Sequence, residues 1–409
     1  MRNIDKKVEL LAPAGNFEKL EIAVHYGADA VYLAGKDFSL RNLSGNFSLK
    51  ELKKAIAFCR KNKVKAYVAC NIFARNSELG AISEYLSFIG EMSPDAVILA
   101  DPGIFNLASK TIPHIPVHIS TQANTTNIES VLFWQNLGAK RINIARELTL
   151  TEIREITLHT DIEIEAFVHG AMCIAYSGRC LLSNYLAKRD SNRGMCAHAC
   201  RWKYYVVEET RPGLNLPIEE DERGTYILSS KDLCMIELLP SMIKAGICSL
   251  KIEGRMKSIH YLATVVKTYR EAIDEYYKAP DNYFVKKKWT DELSGINNRG
   301  YSTGFYLGDK NETLPECAQT HIYNEPLFVG KIISSSESGN VFADIRNRIC
   351  KLDSVEIITR KGSNKKDAVL AITDEYGAQM ERAHPGTRAV LQMKNNYSAN
   401  DIIRKTNTI

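Results

Sequence analysis

Short apolar runs recur through the first part of the chain, at positions 8–11, 30–33, 66–70, 96–100, 117–120, 141–145 and 162–168. The segments between them have helical period. In "NFEKLEIAVHYGA", Phe17, Leu20, Ala23, Val24 and Gly27 fall on one side, and in "NIESVLFWQNLGA" the same holds for Val131, Leu132, Trp134 and Leu137. Strand followed by helix, repeated, predicts successive βα units around a parallel sheet. Gly27, Gly138 and Gly246 stand where a glycine would cap a helix before the next strand. Two later runs, "TYILSS" and "CSLKIEG", bring the strand count to eight or nine, and no GxGxxG fingerprint follows the first strand. The pattern predicts an α/β fold with residues 1–275 as a TIM-type (β/α) barrel.

A barrel of this kind carries its site at the strand C-termini. The residues following the predicted strands are polar and varied: Asn71, Asp101, Ser120, Thr121, Gln122, Arg146, Glu147, His169, Lys251, Glu253 and Arg255. Residues 170–225 break the βα rhythm and form a cysteine-rich insertion on that face. Residues 276–325 show no clear periodicity and are expected to be a connector. From Pro326 the runs "LFVGKIISSS", "NVFADI", "SVEIITRKG", "KDAVLAITDE" and "TRAVLQM" alternate with turn residues. They predict a small C-terminal antiparallel β-barrel domain over residues 326–409.

Charge refines this picture. The net charge is +5, and residues 326–409 carry 13 Lys/Arg against 9 Asp/Glu. Between residues 179 and 203, Arg179, Lys188, Arg189, Arg193, Arg201 and Lys203 face one acid, Asp190. Such local excess suits an anionic partner such as RNA, although a solvated surface has the same composition. The N-terminal stretch lacks the apolar core of a signal peptide, and no apolar run approaches the roughly 18 residues of a membrane helix. The expected location is therefore cytoplasmic, and the ten cysteines are expected to be reduced.

Five of those cysteines are scattered. The other five, Cys173, Cys180, Cys196, Cys200 and Cys234, fall in or beside the insertion. Structural zinc prefers two close pairs, and only "CAHAC" is one; with His198 it leaves zinc as an alternative. An iron–sulfur cluster accepts thiolates from separated loops. Cys173, four residues after His169, could also be a nucleophile, yet that explains one thiol of five.

The segments "ELLAPAGN", "HISTQANTTN", "FVHGAMCIAYSGRCLLSNYL", "NRGMCAHACRWKY", "SSKDLC", "SLKIEGRMKS" and "NRGYSTGF" together resemble the peptidase U32 family, with "EAFVHGAMCIAYSGRC" similar to its signature. The resemblance spans nearly the whole chain and looks most like the branch that forms 5-hydroxyuridine at the tRNA wobble position. It implies an oxygen-independent tRNA hydroxylase using a 4Fe–4S cluster, with prephenate as hydroxyl donor. Other branches imply ribosomal RNA cytidine hydroxylation or a ubiquinone-pathway hydroxylation factor, and the family name a peptidase, for which structural zinc is the matching metal. Carried onto this chain, the cluster ligands would be Cys173, Cys180, Cys196 and Cys234, with Cys200 as the alternative fourth ligand. On this reading His169, Lys251 and Arg255 are the candidate catalytic residues. Arg146, Gln122, Glu253, Arg299, Arg201 and Trp202 are the candidate substrate-binding residues, the cations for prephenate carboxylates and the Arg–Trp pair for RNA.

Overall fold

Eight parallel strands close into a ring in the computed structural model of the chain, which describes residues 7–40, 45–173, 175–202, 220–221, 224–225, 230–308, 326–336 and 339–405. Strands β1 (Glu9–Pro13), β2 (Ala30–Leu33), β3 (Lys65–Ala69), β4 (Ala96–Leu99), β5 (Val117–Ile119), β6 (Arg141–Asn143) and β7 (Glu163–Ala171) each pair with the next. β8 (Asp232–Cys234) lies outside the ring, antiparallel to the end of β7. β9 (Ser249–Ile252) pairs in parallel with both β1 and β7 and closes the barrel. Of the two late runs, "CSLKIEG" is thus the closing strand. "TYILSS" gives Thr225 to a two-residue ladder, and residues 226–229 lie outside those described.

Local signals place the helices. α1 (Phe17–His25), α2 (Leu49–Lys61), α3 (Leu79–Met92), α4 (Pro102–Thr111), α5 (Ile128–Asn136) and α6 (Leu150–His159) follow successive strands. The side chains of Asn16, Asp101 and Asn127 cap α1, α4 and α5, and Ser48–Glu51 and Thr149–Glu152 form reciprocal capping boxes on α2 and α6. Gly27, Gly138 and Gly246 take φ of +100°, +98° and +85°, the left-handed geometry read from their positions. α7 (Leu182–Ala187) belongs to the cysteine segment; α8 (Leu239–Lys244) and the long α9 (Ile259–Lys278) flank β9.

The strands are buried on both faces. Leu11, Ala30, Tyr32, Tyr67, Ala69, Ala96 and Ile98 pack together inside the ring, while alternate residues such as Val31, Leu33, Ala66 and Val68 pack under the helices. The lumen also holds an ion network. Arg141 bonds Glu9 at 2.5 Å and Glu163 at 2.6 Å and reaches Glu165 at 3.4 Å; Lys251 Nζ bonds Glu165 at 2.7 Å. Tyr67 and Ser249 donate to Glu9 at 2.8 and 2.9 Å. Burial pushes the Glu9 carboxyl up, but Arg141 and these hydrogen bonds outweigh it and hold it below the usual carboxylate value.

The stretch read as a connector contains α10 (Lys287–Ser294) and β10 (Tyr301–Ser302), which pairs in parallel with β8. Its helical signal is one pair, Trp289 and Leu293, both buried; eight residues are too few to reveal a period. The C-terminal unit is antiparallel β, as the turn-separated runs predict. Its eight-stranded sheet runs from Lys365–Ala368 through Ser354–Ile358, Ile402–Lys405, Leu327–Ser335, Asn340–Ile345, Arg388–Gln392 and Ala371–Thr373 to Gln379–Met380. It docks on the barrel through α1, α9 and α10: Tyr26 Oη donates to Ile358 O at 2.6 Å, His25 pairs with Asp401 at 2.9 Å, and Arg404 bridges to Glu292 at 2.7 Å.

His260 of α9 stacks on Phe328 in this interface, with Nε2 buried and without a hydrogen-bond partner. Burial, assisted by Arg404, lowers its pKa from 6.5 to about 3. A proton is then bound by the unfolded chain first, so stability is full above pH 6.5 and falls with pH until about 3. The expected loss is about 1.4 kcal/mol per pH unit from this group. Thermal melts between pH 7 and 5 should show His260→Phe losing less stability than the parent; equal slopes would remove His260 from the acid response.

Candidate functional site

The C-terminal ends of the barrel strands enclose a cavity of about 90 Å³. Asn71 follows β3, Ser120, Thr121 and Gln122 follow β5, and Lys251, Glu253 and Arg255 come from the end of β9 and beyond; Ser191 reaches in from the cysteine segment. Lys251 Nζ lies over Tyr32 at 4.6 Å and Phe167 at 5.6 Å from the ring centres, its charge matched by Glu165 below. Arg255 is buried, bonded to Asn46, and its carbonyl accepts from Lys19 at 2.8 Å. Four of the sequence candidates, Gln122, Lys251, Glu253 and Arg255, therefore line one cavity whose cations are fixed before any ligand enters.

Arg146 and Glu147, in the loop after β6, anchor the cysteine segment over this mouth. Arg146 donates to Ala171 O at 3.2 Å, lies 5.4 Å over the Phe167 ring and bonds the Cys173 sulfur. Burial works against its charge, yet Cys173, Glu147 and Glu253 hold its affinity for the proton above the ordinary value. Glu147 accepts from Ser177 N at 2.8 Å and from the Ser177 hydroxyl at 3.0 Å. Gly178, at φ +72°, packs flat on the carbonyl of Gln122: a Cβ there would stand 2.0 Å from that oxygen. Gly178→Ala is therefore expected to lift the segment off the mouth at a cost of about 1–3 kcal/mol. Limited proteolysis would detect this as faster cleavage within residues 175–202; unchanged protection would show that the contact does not hold the segment down.

The rest of the segment is tied to itself and to the barrel. Arg193 bonds Glu78 and donates to Phe73 O at 2.7 Å. Ser191 and Asn192 donate to Cys180 O at 2.9 and 3.0 Å, and Ala197 N donates to Ser183 at 2.9 Å. Cys173 is exposed, and Cys180, Cys196 and Cys200 are half-buried; none is in a disulfide. Cys234 comes from far along the sequence, but β8 sets it opposite His169 on β7, four residues before Cys173. Its sulfur lies 3.9 Å from Tyr269 Oη, and burial pushes its thiol up to about 11. Among the described residues no three Cys, His, Asp or Glu side chains are drawn into a metal-holding group. What fits a cluster is the donor chemistry: thiols outside any disulfide, with Cys173 just past the end of β7 and Cys234 on β8, the strand paired with it.

Three candidates stand elsewhere. A register shift where β7 meets β9 precedes His169, which is 1% exposed and whose ring sits among Tyr261, Tyr269 and Tyr301 at 5.3–5.9 Å. Neither ring nitrogen has a hydrogen-bond partner, and burial lowers its pKa to about 3. It packs as a neutral aromatic, not a proton carrier in the cavity. Arg299 is taken up by buried Asp232, which fixes β8 to β10 rather than offering a free fork at the mouth. Trp202 is exposed, whereas the Arg201 side chain and Lys203 lie outside the described residues. Glu147 and Glu165 contribute more than their sequence context suggested: each signals only as an acid near a strand, and its partner is distant in sequence.

The model of peptidase family U32 matches residues 15–315, and that of the peptidase family U32 C-terminal domain matches residues 325–404. The chain is 43% identical over 390 residues to tRNA hydroxylation protein P1 of Bacillus subtilis, covering 94% of this chain and 91% of that protein. It is 36% identical to tRNA hydroxylation protein P of Escherichia coli over 87% of each chain, and 32% identical to a collagenase of Porphyromonas gingivalis over 79% of each.

Proposed function

The chain belongs to peptidase family U32, and on that premise we propose that it is a tRNA hydroxylase acting at the barrel mouth, forming 5-hydroxyuridine at the wobble position. The observation that carries this is a polar cavity with pre-set Lys251 and Arg255 under a thiol-bearing segment, in a chain whose near-full-length relatives are tRNA hydroxylation proteins. A uridine must leave its stack before C5 can be reached, and the mouth offers a polar recess for one unstacked base. Prephenate, as an oxygen-independent hydroxyl source, would meet Lys251, Arg255 and Arg146, each oriented by existing bonds. Gln122 and Glu253, among the polar groups lining the cavity, would read the base edge. Cys173, Cys180, Cys196 and Cys234, with Cys200 as the alternative fourth, would hold a 4Fe–4S cluster, which supplies one-electron chemistry when bound.

The peptidase reading is less well supported. Cys173 bonds Arg146, and His169, the nearest base in sequence, is turned into a tyrosine cage. A Cys–His nucleophile needs the two in hydrogen-bond reach. Nucleoside analysis of tRNA from a strain lacking the protein decides the matter. Loss of wobble 5-hydroxyuridine and its derivatives, restored by the intact gene, is expected; unchanged tRNA overturns the proposal.

A further inference from the structure

The cysteine segment exposes apolar and basic side chains that the catalytic reading leaves unused. Six exposed large apolar side chains, Tyr176, Leu181, Tyr185, Leu186, Met195 and Trp202, fall within one short stretch; elsewhere such residues are dispersed through the described chain. Exposed Arg179 and Lys188 lie among them. The sole acid between residues 172 and 202, Asp190, is half-buried and accepts from Asn192 N at 2.9 Å, capping the turn that follows it. The patch is thus aromatic and cationic with no competing carboxylate of its own.

Two features make it a built surface rather than a loose loop. Arg179 N donates to Tyr176 O at 3.0 Å, closing a turn with Gly178 third at φ +72°. The inner residues of this turn are fixed to the barrel, Ser177 on Glu147 and Gly178 on Gln122. Tyr176, 64% exposed, and Arg179 are therefore held outward at the rim of the cavity. One helical turn accounts for the second feature: Tyr185 N donates to Leu181 O at 2.9 Å, so Leu181 and Tyr185, 71% and 78% exposed, share a face of α7.

The geometry points to this patch as a stacking platform for the unpaired nucleotides that flank the target base in a tRNA loop, an inference that rests on the function proposed above. Exposed rings with interleaved cations are the arrangement that binds single-stranded RNA: every base has a face to stack, and each phosphate a cation to meet. Tyr176 and Arg179 would take the nucleotide next to the cavity, and Tyr185 and Lys188 one further out.

The test is fluorescence anisotropy of a labelled anticodon stem-loop with wobble uridine, titrated with anaerobically purified holoenzyme across a salt series. Tyr176→Ala and Tyr185→Ala are each expected to weaken binding roughly fivefold or more with an unchanged salt slope, and the Tyr→Phe variants to restore it. Arg179→Ala should lower the slope by about one. Tyr376→Ala, at an exposed tyrosine of the C-terminal domain, should bind as the parent does. Melting curves confirm that each variant folds. Parent-like binding by the Tyr176→Ala/Tyr185→Ala double variant overturns the platform while leaving the hydroxylase reading intact. Unchanged tRNA in the deletion strain, with stem-loop binding that still depends on these tyrosines, overturns the hydroxylase reading and keeps the platform. Sedimentation showing a dimer that Tyr185→Ala dissociates would assign the patch to a second copy of the chain and overturn the RNA proposal.

Discussion

Cys173→Ala is expected to give a colourless protein that leaves its tRNA unhydroxylated. Under the proposed function this sulfur is the ligand at the root of the segment, beside the Arg146 guanidinium, and a four-thiolate cluster does not survive loss of one thiolate unless another donor replaces it. Iron content and visible absorbance of anaerobically purified protein give the first readout, about four irons per chain falling toward none. Wobble 5-hydroxyuridine in a complemented deletion strain gives the second. Cys180→Ala and Cys196→Ala should behave alike. The fourth position separates by the same measurement: Cys234→Ala colourless with Cys200→Ala brown assigns Cys234, and the reverse assigns Cys200. A Cys173→Ala protein that keeps its iron would remove the cluster from this site.

Arg141→Met is expected to destabilise the protein by about 3–5 kcal/mol, because it leaves the buried Glu9 carboxylate without its main cation. Glu9 loses its main partner, and Glu165 keeps Lys251. The pH dependence identifies the cause. In the parent, the Glu9 pKa is held below 4.5, so its stabilising contribution is present above that pH and is lost as pH falls through the lowered value. In the variant burial loses its largest opponent, keeping Tyr67 and Lys65 against it, and raises the pKa, so Glu9 binds a proton on folding and the deficit shrinks as pH falls. Urea unfolding at pH 8 and pH 5.5 would show the gap narrowing, and Glu9→Gln in the same chain should recover part of it. A pH-independent gap would mean that Arg141 acts by packing alone. The network also connects the bottom of the barrel to Lys251 at the mouth, so the variant should bind the anionic co-substrate less well even where folded.

The barrel was legible because its signals are local. Apolar runs at regular spacing mark the strands, and residues such as Ser48, Asp101 and Thr149 mark the helix starts. Glycines at +98° and +100° mark two of the ends. These depend on backbone dihedrals and on hydrogen bonds within a few residues, which a sequence states directly. The same logic placed Gln122, Lys251, Glu253 and Arg255 together, since every strand end in such a barrel faces one mouth. α10 was not legible, because one buried pair in eight residues has no period to read.

By itself, then, the sequence determined a parallel barrel followed by an antiparallel β domain, a mouth lined by a known set of polar residues, and a thiol-rich segment above it. Tertiary structure alone decided which run closes the ring and which charges meet. Arg141 and Glu9 are 132 positions apart, and Lys251 and Glu165 are 86 apart. Nothing local distinguishes Arg299, spent on Asp232, from Arg255 at the cavity. His169 alternates in sequence as though it faced the mouth, and the register shift at its pairing with β9 sends it into the tyrosines instead. Burial and ion pairing are properties of the neighbours a residue acquires, and those neighbours exist only once the ring has closed.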